Sequence, residues 1–162
     1  MYNIKLEGKK QKLGFSSAHI IPNHAKCGKI HGHNYFIDIK AEGNLNSDNQ
    51  VIDFGTIKNH VRKICQKLDH KMLLASKNEN SKIKDLGDNI NIKIDKKEYN
   101  IPKEDIELLP LTNITAEELS RYIAKILTPQ IESNIKSIYI FITRQKFYAV
   151  TEELFRFLRK CV

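Results

Sequence analysis

Apolar and polar side chains alternate over residues 30–42, where Tyr35, Ile37, Ile39 and Ala41 interleave with Phe36, Asp38, Lys40 and Glu42. A period of two is that of a half-buried strand. An earlier strand is read over 2–20 from Ile4, Leu6, Leu13 and Phe15, with Gly8-Lys9-Lys10 marking a bend or bulge. Residues 21–29, carrying Pro22-Asn23 and Gly28, read as loop, and Gly43 to Gln50 as polar turn. The period then changes. Ile57, Val61, Ile64 and Leu68 predict a helix over about 56–67, capped by Asp53. Thr115 and Glu118 form a capping box for a second helix that runs to about Leu127, with Leu119, Ile123 and Ile126 as its buried stripe and Pro129 after its stop.

Ile138, Ile140 and Ile142 predict a third strand over 136–143, Arg144-Gln145-Lys146 a turn, and Phe147 to Val150 a fourth strand. From Thr151 the pattern predicts a short terminal helix, so 151–162 reads as an extension. Between the helices, Ile90, Ile92 and Ile94, then Asp95-Lys96-Lys97, then Tyr99 and Ile101 predict a small hairpin; 76–110 is read as an insertion on the rim of one domain spanning 1–162. Strand-strand, helix-helix, strand-strand implies α+β with an antiparallel sheet covered by helices on one face. Such a sheet has open edges that must be covered or paired, which predicts a homo-oligomer.

Composition narrows the function. No apolar run approaches a membrane span, and Met1-Tyr2-Asn3-Ile4-Lys5 lacks the apolar block of a signal peptide, so a cytoplasmic location is expected. Three widely spaced cysteines make no disulfide framework; Cys65 reads as core and Cys161 as incidental. The net charge of +8, from 27 basic against 19 acidic residues, suits a polyanionic small substrate such as a triphosphate. The lysines are scattered and no nucleic-acid-binding motif is present, so nucleic acid is not the expected partner.

Candidate chemistry concentrates between Phe15 and Asn34, which holds four of the six histidines and Cys27. His31 and His33, at i and i+2 on a strand, point to one face, and Gly32 between them leaves the other face uncrowded. His19 on a neighbouring strand would complete a three-nitrogen site with an open fourth position, the arrangement of a catalytic zinc. His24 is a competing nitrogen, read as loop. Cys27 is the cysteine with chemically interesting neighbours, since a thiolate near zinc or an imidazolium has a lowered pKa. Asp69 and His70, just past the first helix, gain meaning if His70 reaches that pocket.

These residues resemble the 6-pyruvoyl-tetrahydropterin synthase family, which includes the 6-carboxytetrahydropterin synthases of 7-deazaguanine (queuosine and archaeosine) biosynthesis. The matching pieces, in the family's order, are Phe15-Ser16-Ser17-Ala18-His19, Cys27-Gly28-Lys29-Ile30-His31-Gly32-His33-Asn34-Tyr35, Val51-Ile52-Asp53-Phe54-Gly55, Leu68-Asp69-His70-Lys71 and Thr115-Ala116-Glu117-Glu118-Leu119. The resemblance implies a tunnelling fold: ββααββ subunits whose sheets join into an oligomeric barrel, usually a hexamer built as a dimer of trimers. It implies zinc on His19, His31 and His33, and a substrate like 7,8-dihydroneopterin triphosphate converted with loss of triphosphate. It implies Cys27 as general base and Asp69 and His70 as a pair that tunes proton movement, often from a neighbouring subunit. Thr115 and Glu117 sit where the family contacts the ring, though both also fit helix capping. The three residues between Cys27 and His31 are a spacing associated with the carboxy branch.

The chain departs from the family at one position. The family carries Glu-Thr at the end of the third strand, its glutamate anchoring the pterin, and Ile142-Thr143 stands there instead. Unpaired pterin donors would cost on the order of 2–5 kcal/mol of binding. Either another acid, from Glu117, Glu152 or Glu153, supplies the contact, or the ligand is not an ordinary pterin. Three readings follow: a zinc-dependent lyase, a non-catalytic zinc-bearing relative that binds a pterin- or purine-like ligand, and a zinc hydrolase on another fold. The last is weakened because no His-Glu-x-x-His is present.

Overall fold

The computed structural model describes residues 1–131, 134–144 and 147–154, with side chains described up to residue 143. Its axis is one long strand, β3 (His31–Gly43). On one side β3 pairs antiparallel with β9 (Ile135–Arg144), and β9 with β10 (Phe147–Leu154). On its other side β3 is shared. β1 (Tyr2–Leu6) pairs with residues 39–43, and β2 (Gly14–His19) with residues 31–36.

The expected bend at Gly8 is instead a full helical turn, α1 (Gly8–Gln11), so 2–20 is two strands and not one. The turn lets the chain step from one half of β3 to the other. Asp38 accepts the Gly8 N–H at 2.6 Å, and Lys12 leaves the turn in the left-handed region at φ 54°. Gly8 is required there because a Cβ would lie 2.4 Å from the Ile37 carbonyl oxygen.

Helix α2 (Phe54–Leu68) opens on Asp53, whose side chain accepts the Thr56 N–H as expected, and buries Ile57, Val61, Ile64, Cys65 and Leu68 on one stripe. Helix α3 (Ala116–Leu127) opens on Thr115 and buries Leu119, Ile123 and Leu127. The capping box is half formed: Thr115 accepts the Glu118 N–H, while the Glu118 carboxylate turns to Arg121. Both helices cover one face of the sheet. Tyr35, Ile37, Ile39 and Ala41 of β3 and Ile138, Ile140 and Ile142 of β9 meet them in the main core.

Between the helices the chain makes more structure than the pattern predicted. β4 (Lys71–Ala75) joins the main sheet parallel to β2, and β8 (Ile106–Leu109) parallel to β4, giving seven strands in the order β10-β9-β3-β2-β4-β8 with β1 beside β3. The expected hairpin is present as β6 (Asn89–Ile94) and β7 (Lys97–Pro102), and β5 (Ser81–Asp85) extends it to a separate three-stranded sheet. That sheet lies on the face away from the helices. There Ile90, Ile92 and Ile94 form a second core with Ile20, Met72 and Leu74.

The fourth strand is longer than expected. Thr151 to Leu154 continue β10 opposite Ile140 to Ser137, so the helix predicted from Thr151 does not begin there. Pairing along β9 outweighs the local capping signal. The rest of that helix lies outside the described residues. No helix among them is long and apolar enough to cross a membrane.

Candidate metal centre and proton-transfer groups

β2 and β3 bring the three candidate ligands together by register. His19 sits directly opposite His31, and Ser17 opposite His33, so all three imidazoles project to one face at the end of the main core. Ring centroids lie 4.3 Å apart for His19 and His31, 5.3 Å for His19 and His33, and 5.1 Å for His31 and His33. One nitrogen from each falls within 4.8 Å of the others, and among the described residues these three form the cluster able to hold a metal ion.

Backbone carbonyls orient two of the rings. His19 Nδ1 meets the Ile114 carbonyl oxygen at 2.7 Å, and His31 Nδ1 meets that of Lys29 at 2.8 Å. Each bond favours the tautomer whose Nε2 lone pair is free to bind a cation. His31 Nε2 is buried without a hydrogen-bond partner among the described residues, as expected of a ligand atom aimed at a cation. Three imidazole nitrogens are a donor set that fits zinc. The Ile114 contact also ties the site to α3, because Thr115, the next residue, caps that helix.

Asp69 and His70 clamp the opposite edge of β2. The Ser16 N–H donates to Asp69 Oδ1 at 2.7 Å, and the His70 N–H donates to the Ser16 carbonyl at 2.8 Å. These bonds hold His70 in the left-handed region at φ 57°, a conformation costing a non-glycine residue about 1–2 kcal/mol. Its ring is exposed, with Nδ1 2.9 Å from Asp69 Oδ2. Burial acts to raise the Asp69 pKa, but the Ser16 N–H and the His70 ring together outweigh it and hold the carboxyl below its ordinary value. His70 and His33 border one open groove of about 530 Å³, lined also by Ser16, Gly32, Asn34 and Asp105.

Cys27 lies on the loop between β2 and β3, half-buried, and is not part of the three-nitrogen cluster. His24 is engaged within that loop: its Nδ1 accepts the Cys27 N–H at 2.9 Å and its carbonyl accepts the Gly28 N–H at 2.7 Å. Gly28 has no room for a side chain, since a Cβ would lie 2.5 Å from that carbonyl oxygen. Cys65, expected in the core, is buried there; burial, with Asp69 nearby, pushes its thiol up to about 11, which makes it unreactive. Thr115 is occupied as a helix cap, and Glu117 is exposed on the first turn of α3. Ile142 is wholly buried in the main core beside Ile37. Neither the grip on Ser16 nor the Ile114 carbonyl could be foreseen, because backbone contacts between distant segments leave no mark in a hydropathy pattern.

A sheet carrying helices on one face and an imidazole triad at the end of its core defines the α+β tunnelling fold with a candidate metal centre. The family model described as 6-pyruvoyl tetrahydropterin synthase matches residues 9–153, and the chain belongs to that family. It is 40% identical over 144 residues to a putative 6-carboxy-5,6,7,8-tetrahydropterin synthase of Methanocaldococcus jannaschii, covering 86% of this chain and 88% of that one. It is 29% identical over 144 residues to the 6-carboxy-5,6,7,8-tetrahydropterin synthase of Haemophilus influenzae, covering 85% and 93%. Among solved structures it resembles the 6-pyruvoyl tetrahydropterin synthase of Plasmodium falciparum, with a TM-score of 0.86, 28% identity, and 94% of this chain and 98% of that one covered.

Proposed function

We propose that the protein is a zinc-dependent lyase that converts 7,8-dihydroneopterin triphosphate to a 6-substituted tetrahydropterin (6-carboxy- or 6-pyruvoyl-tetrahydropterin) with release of triphosphate, in 7-deazaguanine or pterin biosynthesis. The convergence of His19, His31 and His33 carries this reading. The names of the sequence relatives above favour the carboxy product. Zinc bound by the three histidines would supply Lewis acidity toward the hydroxyls of the substrate side chain. Cys27, on the adjoining loop, takes the proton as general base, a task for which a thiol is suited because its pKa can be brought near neutral. His70 relays or returns a proton, with Asp69 fixing its tautomer through the 2.9 Å contact. Thr115 and Glu117, at the start of α3, contact the pterin ring, close in the chain to the carbonyl that orients His19. The net charge of +8 suits a triphosphate. The protein acts in the cytoplasm as a homo-oligomer, a hexamer arranged as a dimer of trimers, in which the outer edges of β8 and β10 are paired.

The test is triphosphate release from dihydroneopterin triphosphate by the zinc-loaded protein, with Cys27→Ala and His70→Ala alongside. Release by the parent, lowered about 10²–10⁴-fold by each substitution, is the expected result. Release unaffected by Cys27→Ala rejects that residue as base. The burial of Ile142 in the core, where a carboxylate is expected, favours a second reading, a non-catalytic relative that binds a pterin- or purine-like ligand. No release by the metal-loaded parent would turn the assignment to that reading.

A further inference from the structure

The three-stranded sheet β5–β7 lies against the loop that carries Cys27. Ile20, at the start of that loop, is buried with Ile90, Ile92 and Ile94 of β6. The β6–β7 turn is two residues long, at Asp95-Lys96, and closes on the pair Ile94 and Lys97. Residues directly opposite in an antiparallel pair share a face, so Lys97 rises on the same face as buried Ile94. Its ammonium donates to the Gly28 carbonyl at 2.6 Å, in a partly buried contact 69 residues distant in sequence. Gly28 follows Cys27 directly, and its N–H is already bound to the His24 carbonyl.

The loop's other hydrogen bonds, from Ile21 N–H to the Cys27 carbonyl and from the Cys27 and Gly28 N–H groups to His24, close it on itself. They fix its shape, and the Lys29 carbonyl, meeting His31 Nδ1 at 2.8 Å, ties its far end to one of the histidines; the Lys97 ammonium adds a tie from outside the β2–β3 segment, at the residue next to Cys27. We infer that the inserted sheet is a brace for the cysteine loop, and that Lys97 is its positioning residue, holding the Gly28 carbonyl so that the Cys27 sulfur is kept at a set distance from the metal centre. A charged donor to a backbone carbonyl is among the stronger single ties available at a partly buried site. A base displaced by about 1 Å loses on the order of 10²-fold in rate, which is why a loop-borne base needs such a tie.

The consequence for catalysis rests on Cys27 being the base, as proposed above; the mechanical part does not. The test uses the full-length, zinc-loaded protein with Lys97→Met, Lys97→Arg and, as a control on the same sheet, Lys93→Met. Three quantities are followed: the rate of Cys27 alkylation by iodoacetamide, read by peptide mass mapping; kcat and KM for triphosphate release; and zinc content with thermal midpoint. Lys97→Met is expected to change the alkylation rate at least about threefold and to lower kcat about tenfold with KM within twofold, since the loss falls on positioning and not on binding. Zinc content and midpoint stay at the parent level. Lys97→Arg restores most of kcat, and Lys93→Met matches the parent. An alkylation rate in Lys97→Met equal to the parent's overturns the brace whatever the activity. Altered alkylation with unchanged kcat overturns its catalytic role. If Cys27→Ala itself retains full activity, the assignment of the base has failed, and the alkylation result still decides whether Lys97 holds the loop.

Discussion

The two halves of β3 present the same face of the same strand to opposite purposes. From Tyr35 to Ala41 every inward side chain is apolar and at most 1% exposed, sealed beneath the helices. At His31 and His33 the same alternation continues past the edge of the helical cover, and the inward positions carry imidazoles that are only half-buried. One register therefore sets both the core and the candidate metal centre, and a slip by one residue would turn both sets of side chains outward together. The apolar half fixes the strand firmly, so that the other half can present its imidazoles in one register.

This contrast can be broken from either side. The largest effect is expected from His31→Ala, which should leave the fold intact by circular dichroism yet remove stoichiometric zinc and take triphosphate release to background, on the order of 10⁴-fold down. Retained zinc on metal analysis would separate the triad from the metal. Ile142→Glu tests whether the family's carboxylate can simply be restored. It puts an unpaired charge among Ile37, Ile140 and the helices, and should lower unfolding stability in urea by about 3–5 kcal/mol without tightening pterin binding. A stable variant with tighter binding would make Ile142 a true site position. Ile39→Ala, in the sealed half, should cost about 2–4 kcal/mol of stability and leave zinc affinity within twofold, since the cavity opens away from the rings.

The smallest effect is on pH dependence. The Asp69 carboxyl, held below its ordinary value by the Ser16 N–H and His70, contributes stability that is complete above the unfolded-state value near 4 and is lost as pH falls through the lowered folded-state value. The stability difference between the parent and Asp69→Asn should shrink as pH falls below about 4. A difference growing below about pH 4 would contradict the sign.

Much of this architecture was legible because its elements are long and periodic. The alternation in β3, the stripes of α2 and α3, the Asp53 and Thr115 caps and the i, i+2 histidines each carry their own signal. The elements that were missed are defined by what they touch. α1 exists because β3 must be shared between two strands, and the close pass of Gly8 over β3, where a Cβ would lie 2.4 Å from the Ile37 carbonyl oxygen, leaves no mark in the hydropathy pattern. β4 and β8 are short apolar runs whose parallel pairing is settled by neighbours distant in sequence. Thr151-Glu152-Glu153 reads as a helix start in isolation, yet β9 offers it a ready ladder. The same limit applies to the site. The three candidate ligands could be picked out from spacing, but the Ile114 carbonyl that meets His19 and the ammonium on Gly28 come from other parts of the chain.

The β2–β3 hairpin has a bearing on the protein's assembly during synthesis. All three imidazoles belong to this hairpin, whereas β9, which completes the core, follows it much later in the chain. The nitrogens can thus meet before β9 is made, at a stage when a metal ion could already be captured. Capture at that stage would hold the hairpin closed as a nucleus, leaving the arrival of Ile114 to fix the His19 ring afterwards.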